Sequence, residues 1–385
     1  MKKIVVQIII IFIIFIQSTS ARAATLNTQM LQEEKENFGI SDFIKETEQY
    51  TDEFFDDIDI SDTLNSAITG KIDNNKIFKK ILKIFGNEMV ASIKTLVAVL
   101  TIVLIHSILK AITDNSETSD ISKIIYYVQY ILIVTIVMTN FSDLIKTIAN
   151  TIQNLVGFMN SLIPLLITLM IYTGNIATSG LLEPIIIFVI EFIANIIVTL
   201  ILPSVSIITA LIIVSKLSNK VQISRITKFL KSSIIWFLGI ILTVFVGVIS
   251  LEGTLSSSID GITAKTAKAA VSSMIPVVGK ILGDSVDSVL GCGLVLKNAL
   301  GVIGVVIIVG ISIMPVLKLA ILTIMYNVSS AIIEPLADEK IVKLLGEIGD
   351  IFKLLLAILC SVSVLLIVGI TLVIKISNSG MMYRW

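Results

Sequence analysis

An all-α, polytopic membrane protein is what this chain predicts, and three observations carry the prediction. Hydrophobic residues make up 55% of the 385 positions and charged residues only 15%, against about 25% charged in a soluble domain. Several apolar runs reach the roughly 20 residues that cross a bilayer as a helix. The short alternating segments of a β-barrel are not the pattern of these runs. The reading is about seven to nine transmembrane helices, a small helical extracytoplasmic segment before them, and a candidate inverted repeat.

Met1–Ala23 reads as a signal peptide. Lys2 and Lys3 precede the apolar stretch Ile4–Ile16, and Ala21-Arg22-Ala23 has the small-x-small form of a cleavage site. Residues 24–87 then form an acidic segment expected outside the cytoplasm. Asp52 to Asp62 alone hold six acids and no base. Phe43, Tyr50 and Phe54 recur at helical spacing. The acidic run reads either as a solvated face or as a docking surface. Lys76–Phe85, KIFKKILKIF, is a basic amphipathic helix suited to the membrane interface.

Residues 88–385 form the membrane domain. Spans are expected near 89–110, 124–141, 152–173, 184–202, 203–217, 232–251, 298–314, 315–333 and 352–374. Pro203 and Pro315 lie in the middle of two long apolar stretches, where a turn or a kink is favoured. Lys216–Lys231 carries five bases and no acid, so it should face the cytoplasm. Lys375 and Arg384 place the C-terminus on the same side. The basic helix ahead of the first span and the acids of Asp114–Asp120 run against this charge rule.

The interval from Pro164 to Pro276 equals the interval from Pro203 to Pro315. Ser161-Leu-Ile-Pro164 matches Ser273-Met-Ile-Pro276, and Lys228 and Lys231 match Lys340 and Lys343. With nine spans, two units at this offset would run in opposite directions, as in many transporters.

Residues 252–297 read as an amphipathic hairpin broken at Pro276. Lys280, Asp284 and Asp287 share one helical face, and Lys280 can pair with Asp284. Gly279 and Gly283 form GxxxG, which lets helix backbones approach closely. The hairpin is an amphipathic loop outside the membrane, a re-entrant or pore-lining element, or an oligomer contact. Within the spans, Glu191, Asn195 and Thr199 recur every four residues, with Glu183 nearly on the same face. Lys318 and Lys94 are candidate counter-charges. Intramembrane polar groups point either to transport or assembly, or to structural hydrogen bonds.

Little supports catalysis. The single histidine, His106, excludes the usual HExxH metal site and counts against a Ser-His-Asp triad. No GxxxxGK[ST] phosphate loop is present, so the sequence calls for no metal or cofactor. Cys292 and Cys360 fit neither a disulfide framework nor CxxC spacing and read as small core residues.

The block Thr266–Val305, TAKAAVSSMIPVVGKILGDSVDSVLGCGLVLKNALGVIGV, resembles the stage III sporulation protein AE family of endospore-forming bacteria. The signal sequence, the acidic segment and the multispan domain resemble it too. The resemblance implies a non-enzymatic component of a channel or secretion-like complex, in the mother-cell membrane around the forespore. It implies as partners the other proteins of the stage III sporulation A operon, including an ATPase and ring-forming components. Across the intermembrane space it implies the stage II sporulation protein Q. The rival reading is a free-standing secondary transporter acting through Glu191.

Overall fold

The computed structural model describes residues 35–51, 54–55, 60–69, 74–113, 119–217, 223–274 and 278–382. The signal peptide and much of the acidic run lie outside them. All regular structure among the described residues is helical. Two short helices, α1 (Ile40–Glu48) and α2 (Ile60–Thr69), precede α3 (Asn74–Thr113) and α4 (Ser119–Tyr172). Then come α5 (Ile176–Ile196), a π-helical turn (Ile197–Ile201) and α6 (Leu202–Leu217), followed by α7 (Ser224–Met274), α8 (Val278–Ile333) and α9 (Glu339–Met382).

The long helices form because apolar residues fill whole turns and the few prolines lack turn residues around them. Pro164, Pro184 and Pro315 all sit inside helices. Pro203 removes one backbone donor and its ring crowds the preceding turn. The π turn Ile197–Ile201 lies directly upstream and widens the helix where that clash would fall. The chain reverses between α4 and α5 at Gly174, whose φ of 85° is a conformation that side chains rarely adopt. Asn175 follows it, and its carbonyl accepts from the Ser179 hydroxyl at 2.6 Å.

Helix α9 is the centre of the bundle. Among the described side chains, no large apolar one on α9 is exposed, whereas α3, α4, α5, α6, α7 and α8 all present such residues. Helices α8 and α7 pack on either side of α9 with little contact between themselves. Small residues set the approach. A Cβ on Gly301 would strike Ile374, and one on Gly304 would meet Ile370 and Leu162. On the other flank, Gly369 leaves room for Phe245 and Gly253 for Ile376.

The N-terminal helices dock on this bundle. Phe43 contacts Phe158 with ring centroids 6.1 Å apart, and Phe38 meets Tyr172 edge-on at 4.8 Å. Phe54 and Phe55 cover Gly310 in the middle of α8.

Six helical stretches among the described residues are long and apolar enough to cross a membrane: Lys79–Leu109, Ile124–Tyr172, Ile176–Leu217, Ser224–Gly253, Leu290–Ile333 and Glu339–Asn378. The all-α polytopic architecture stands. The count is lower than nine because three expected pairs are continuous. Segments 124–141 and 152–173 share α4, 184–202 and 203–217 join through the π turn, and 298–314 and 315–333 share α8.

Two expectations change with that count. An even number of crossings brings the end of α9 back to the side of the N-terminal segment. Contacts agree, since Phe38 packs on Tyr172 while neighbouring Asn175 bonds Ser377. Lys375 therefore lies at the end opposite Lys216 and Lys231, and Arg384 falls outside the described residues. The repeat is also not inverted. The shared proline interval carries 119–172 onto 231–284, over α7, and 176–217 onto 288–329, within α8. One antiparallel helix pair fills the offset, so anything repeated at that spacing keeps its direction.

Candidate functional site

A charged groove runs along α9, in the gap between α7 and α8. Its first half gathers ionisable side chains from three helices. Lys216, at the end of α6, pairs with Glu347 of α9 at 2.7 Å. Lys231 of α7 is half-buried and lies within electrostatic reach of Asp350, Glu347, Lys216 and Lys228. Asp350 is exposed and Lys353 half-buried. Neither has an ion pair or hydrogen bond among the described residues. From the other wall, the Asn327 amide lies against Gly349, where a Cβ would come within 2.8 Å of it.

Tyrosines fix this end of the bundle. The Tyr126 hydroxyl donates to the Lys216 carbonyl at 3.1 Å, and Tyr130 donates to the Ile213 carbonyl. Lys340 lies over the Tyr126 ring, 5.6 Å from its centre. Ion pairs of this kind are tolerated near a membrane edge because each charge keeps a partner or water. Beyond Lys353 the open face of α9 turns small: Ala357, Ser361, Val364 and Val368 are all half-buried.

A second polar cluster lies on the buried side of α9, near its end. Lys297 of α8 is fully buried. Its ammonium donates to Ser377 Oγ at 2.5 Å and to Asn378 Oδ1 at 2.9 Å. Asn175 Nδ2 donates to the same serine at 3.1 Å and to Thr173 Oγ1 at 3.2 Å. Asn378 Nδ2 donates to Asn298 Oδ1 at 3.4 Å. One buried cation thus ties α8, the end of α9 and the α4–α5 turn together through neutral oxygens.

The residues singled out from sequence fall elsewhere. Glu191 is exposed on α5 and accepts a hydrogen bond from Asn160 Nδ2 at 3.1 Å. Asn195 is exposed one turn later, and its carbonyl accepts from the Thr199 hydroxyl at 2.6 Å. Lys318 is half-buried in α8 and has no ion pair or hydrogen bond among the described residues; it does not meet Glu191. Gly279, Lys280, Gly283, Asp284 and Asp287 lie on the first turns of α8, but their side chains are not among those described, and Pro276 lies outside the described residues. Helix α7 runs unbroken from the first half of the predicted hairpin back to Ser224, and α8 runs unbroken from its second half. Cys292 is buried and Cys360 half-buried, and neither is in a disulfide.

The acidic segment has a partner inside the chain. Glu46 accepts from the Ser161 hydroxyl at 2.9 Å, and Tyr50 fills the space beside Gly157. Lys35 donates to Asn65 Oδ1 at 2.5 Å, and burial holds its pKa below the usual lysine range.

Sequence reasoning missed Lys297, Lys231, Asp350 and Lys353. Lys297 carried a signal, since it is the one charge between Leu290 and Leu317. Its partners, 80 and 81 residues away, carried none.

Comparison with known proteins follows the same line. Residues 58–377 match the family model described as stage III sporulation protein AE. A relative of that name from Bacillus subtilis (strain 168) is 28% identical over 306 residues, covering 80% of this chain and 77% of its own. No solved structure matches.

Proposed function

The chain belongs to the stage III sporulation protein AE family, and from that membership and its architecture we propose a non-enzymatic role in a channel or secretion-like complex. In this reading the protein sits in the mother-cell membrane around the forespore. It works with the other stage III sporulation A-operon proteins, among them an ATPase and ring-forming components. The stage II sporulation protein Q lies across the intermembrane space.

The observation that supports the reading is the match of residues 58–377 to this family, on a chain whose described residues include six helical stretches long and apolar enough to cross a membrane. The rival, a free-standing transporter acting through Glu191, has less behind it: Glu191 is exposed, bonds Asn160 and does not meet its candidate counter-charge Lys318.

The test is deletion of the gene in the sporulating organism, with sporangia imaged after starvation. Engulfment should finish, and the forespores should then shrink and stop developing. The tagged full-length protein should co-purify with its operon partners from sporulating cells. Normal spore yield from the deletion strain would overturn the proposal.

A further inference from the structure

We infer that the outward face of α4 from Ser142 to Gln153 meets water inside the membrane and forms one wall of an aqueous passage for small hydrophilic solutes. The passage rests on the channel reading above; the hydration of the face does not.

Depth comes from α3, which carries its own scale. Its exposed apolar residues run from Leu82 to Leu109, about 40 Å along the helix, the thickness of a bilayer with its interfaces. Lys94 is exposed about 18 Å from the first and 22 Å from the last, between Val90 and Val97, which are 60% and 52% exposed. Tyr326 of α8 sets α4 against this scale. It lines a small cavity with Ser92, Thr95, Leu96 and Val99 of α3, and its hydroxyl accepts from Asn140 Nδ2 at 3.2 Å. Asn140 is therefore level with Lys94, at the bilayer centre. Both ends agree. Lys80, over the ring of Phe54, lies about 21 Å from Lys94 toward the N-terminal segment. Tyr126, beside Lys216 and Lys340, lies about 21 Å from Asn140 the other way. Asp143, Lys146 and Asn150 then stand about 4.5, 9 and 15 Å from the centre, within one half of the hydrocarbon core.

At that depth α4 shows no apolar surface. From Thr139 to Gln153 its exposed residues are Thr139, Ser142, Asp143, Lys146, Asn150 and Gln153. Steps of three and four residues put them on one stripe, with Asp143 at its edge. Toward the other end of the helix the exposed residues are apolar, Val128 and Leu132 among them. The side chains of Ser142, Asp143, Lys146, Asn150 and Gln153 take no hydrogen bond or ion pair among the described residues.

Ionisable groups at membrane depth face protein or water, not lipid. The make-up of this stripe favours water. Helices that meet in lipid do so through small residues. Here the side chains are long and bring several donors and acceptors each, which water satisfies without a matched partner. One chain supplies one wall, and neighbouring chains of the complex close the rest.

Cysteine labelling tests it in opened membranes from sporulating cells, with Cys292→Ala and Cys360→Ala as background. Ser142→Cys and Asn150→Cys should react with a charged, water-soluble thiol reagent several-fold faster than Val128→Cys and Val97→Cys. Ser142→Trp, at unchanged protein level, should lower spore yield several-fold, and Val128→Trp should not. Slow labelling at both stripe positions overturns the inference. So does a disulfide between copies at Ser142→Cys in place of labelling, which would make the stripe a protein contact. Normal spore yield from Ser142→Trp overturns the passage. Labelling reads hydration alone and gene deletion reads the sporulation role, so either can fail while the other stands.

Discussion

Lys297 allows a prediction whose sign runs against intuition. Its ammonium is fully buried and bonds two neutral oxygens, with no carboxylate among the described residues in hydrogen-bond contact. Lys297→Met removes the charge and keeps the side chain's length. It forfeits two hydrogen bonds to a charged donor, at about 1.5–3 kcal/mol each. It also removes the desolvation penalty of the ion, several kcal/mol in a dry interior. Ser377 keeps its bond from Asn175, and only Asn378 Oδ1 loses its partner, at about 1–3 kcal/mol. The net loss should therefore be about 1–2 kcal/mol. Ser377→Ala with Asn378→Leu does the opposite and strands the cation, for about 3–5 kcal/mol. Adding Lys297→Met to that pair should recover about 2 kcal/mol. Unfolding in mixed micelles, followed by tryptophan fluorescence, would read all three in one cycle. If Lys297→Met is as damaging as stranding the cation, or if the combination is merely additive, the ammonium has another strong partner and the reasoning is wrong.

Three further outcomes follow from the packing. Gly301→Val should lower stability by about 1–3 kcal/mol through overpacking against Ile374 and Ile370, read as a lower melting temperature in detergent. Glu191→Gln keeps an oxygen that can accept from Asn160 and should leave the melting temperature within experimental scatter; Glu191→Leu strands the Asn160 amide and should cost about 1 kcal/mol. Glu347→Leu leaves Lys216 unpaired at 13% side-chain exposure, so it should destabilise more than Glu347→Leu combined with Lys216→Met, measured in the same assay.

Helix class and membrane residence were legible because they depend on composition and run length, which are local. Chain reversals were harder. At Thr173-Gly174-Asn175 the glycine announces the turn that forms there. At Pro203 and Pro315 the proline suggested a turn that does not form. Each is surrounded by apolar, helix-filling residues, and one lost backbone bond costs less than exposing a loop in lipid. Together with the merger of 124–141 and 152–173 in α4, these errors of one crossing each altered the parity of the chain, and with it the side of the C-terminus and the direction of the repeat. The polar row Glu191, Asn195 and Thr199 was visible as a spacing, while Asn160, which bonds Glu191 from another helix, was not. Asp350 and Lys353 sit near the start of a long apolar run, where charges read as a helix edge.

The seat of Phe55 has a consequence for biogenesis. Phe54 and Phe55 close over Gly310, which the ribosome makes long after it has made Phe55. At about 5–20 residues per second, the interval is a wait of roughly 13–50 s. Throughout it, Phe54, Phe55, Ile60 and Leu64, all buried in the finished protein, have no surface to cover them. The first part of the chain to emerge is thus among the last to settle. A quality-control protease or chaperone that recognises exposed aromatic segments would meet this one on every molecule made, and completion of α8 would end its exposure.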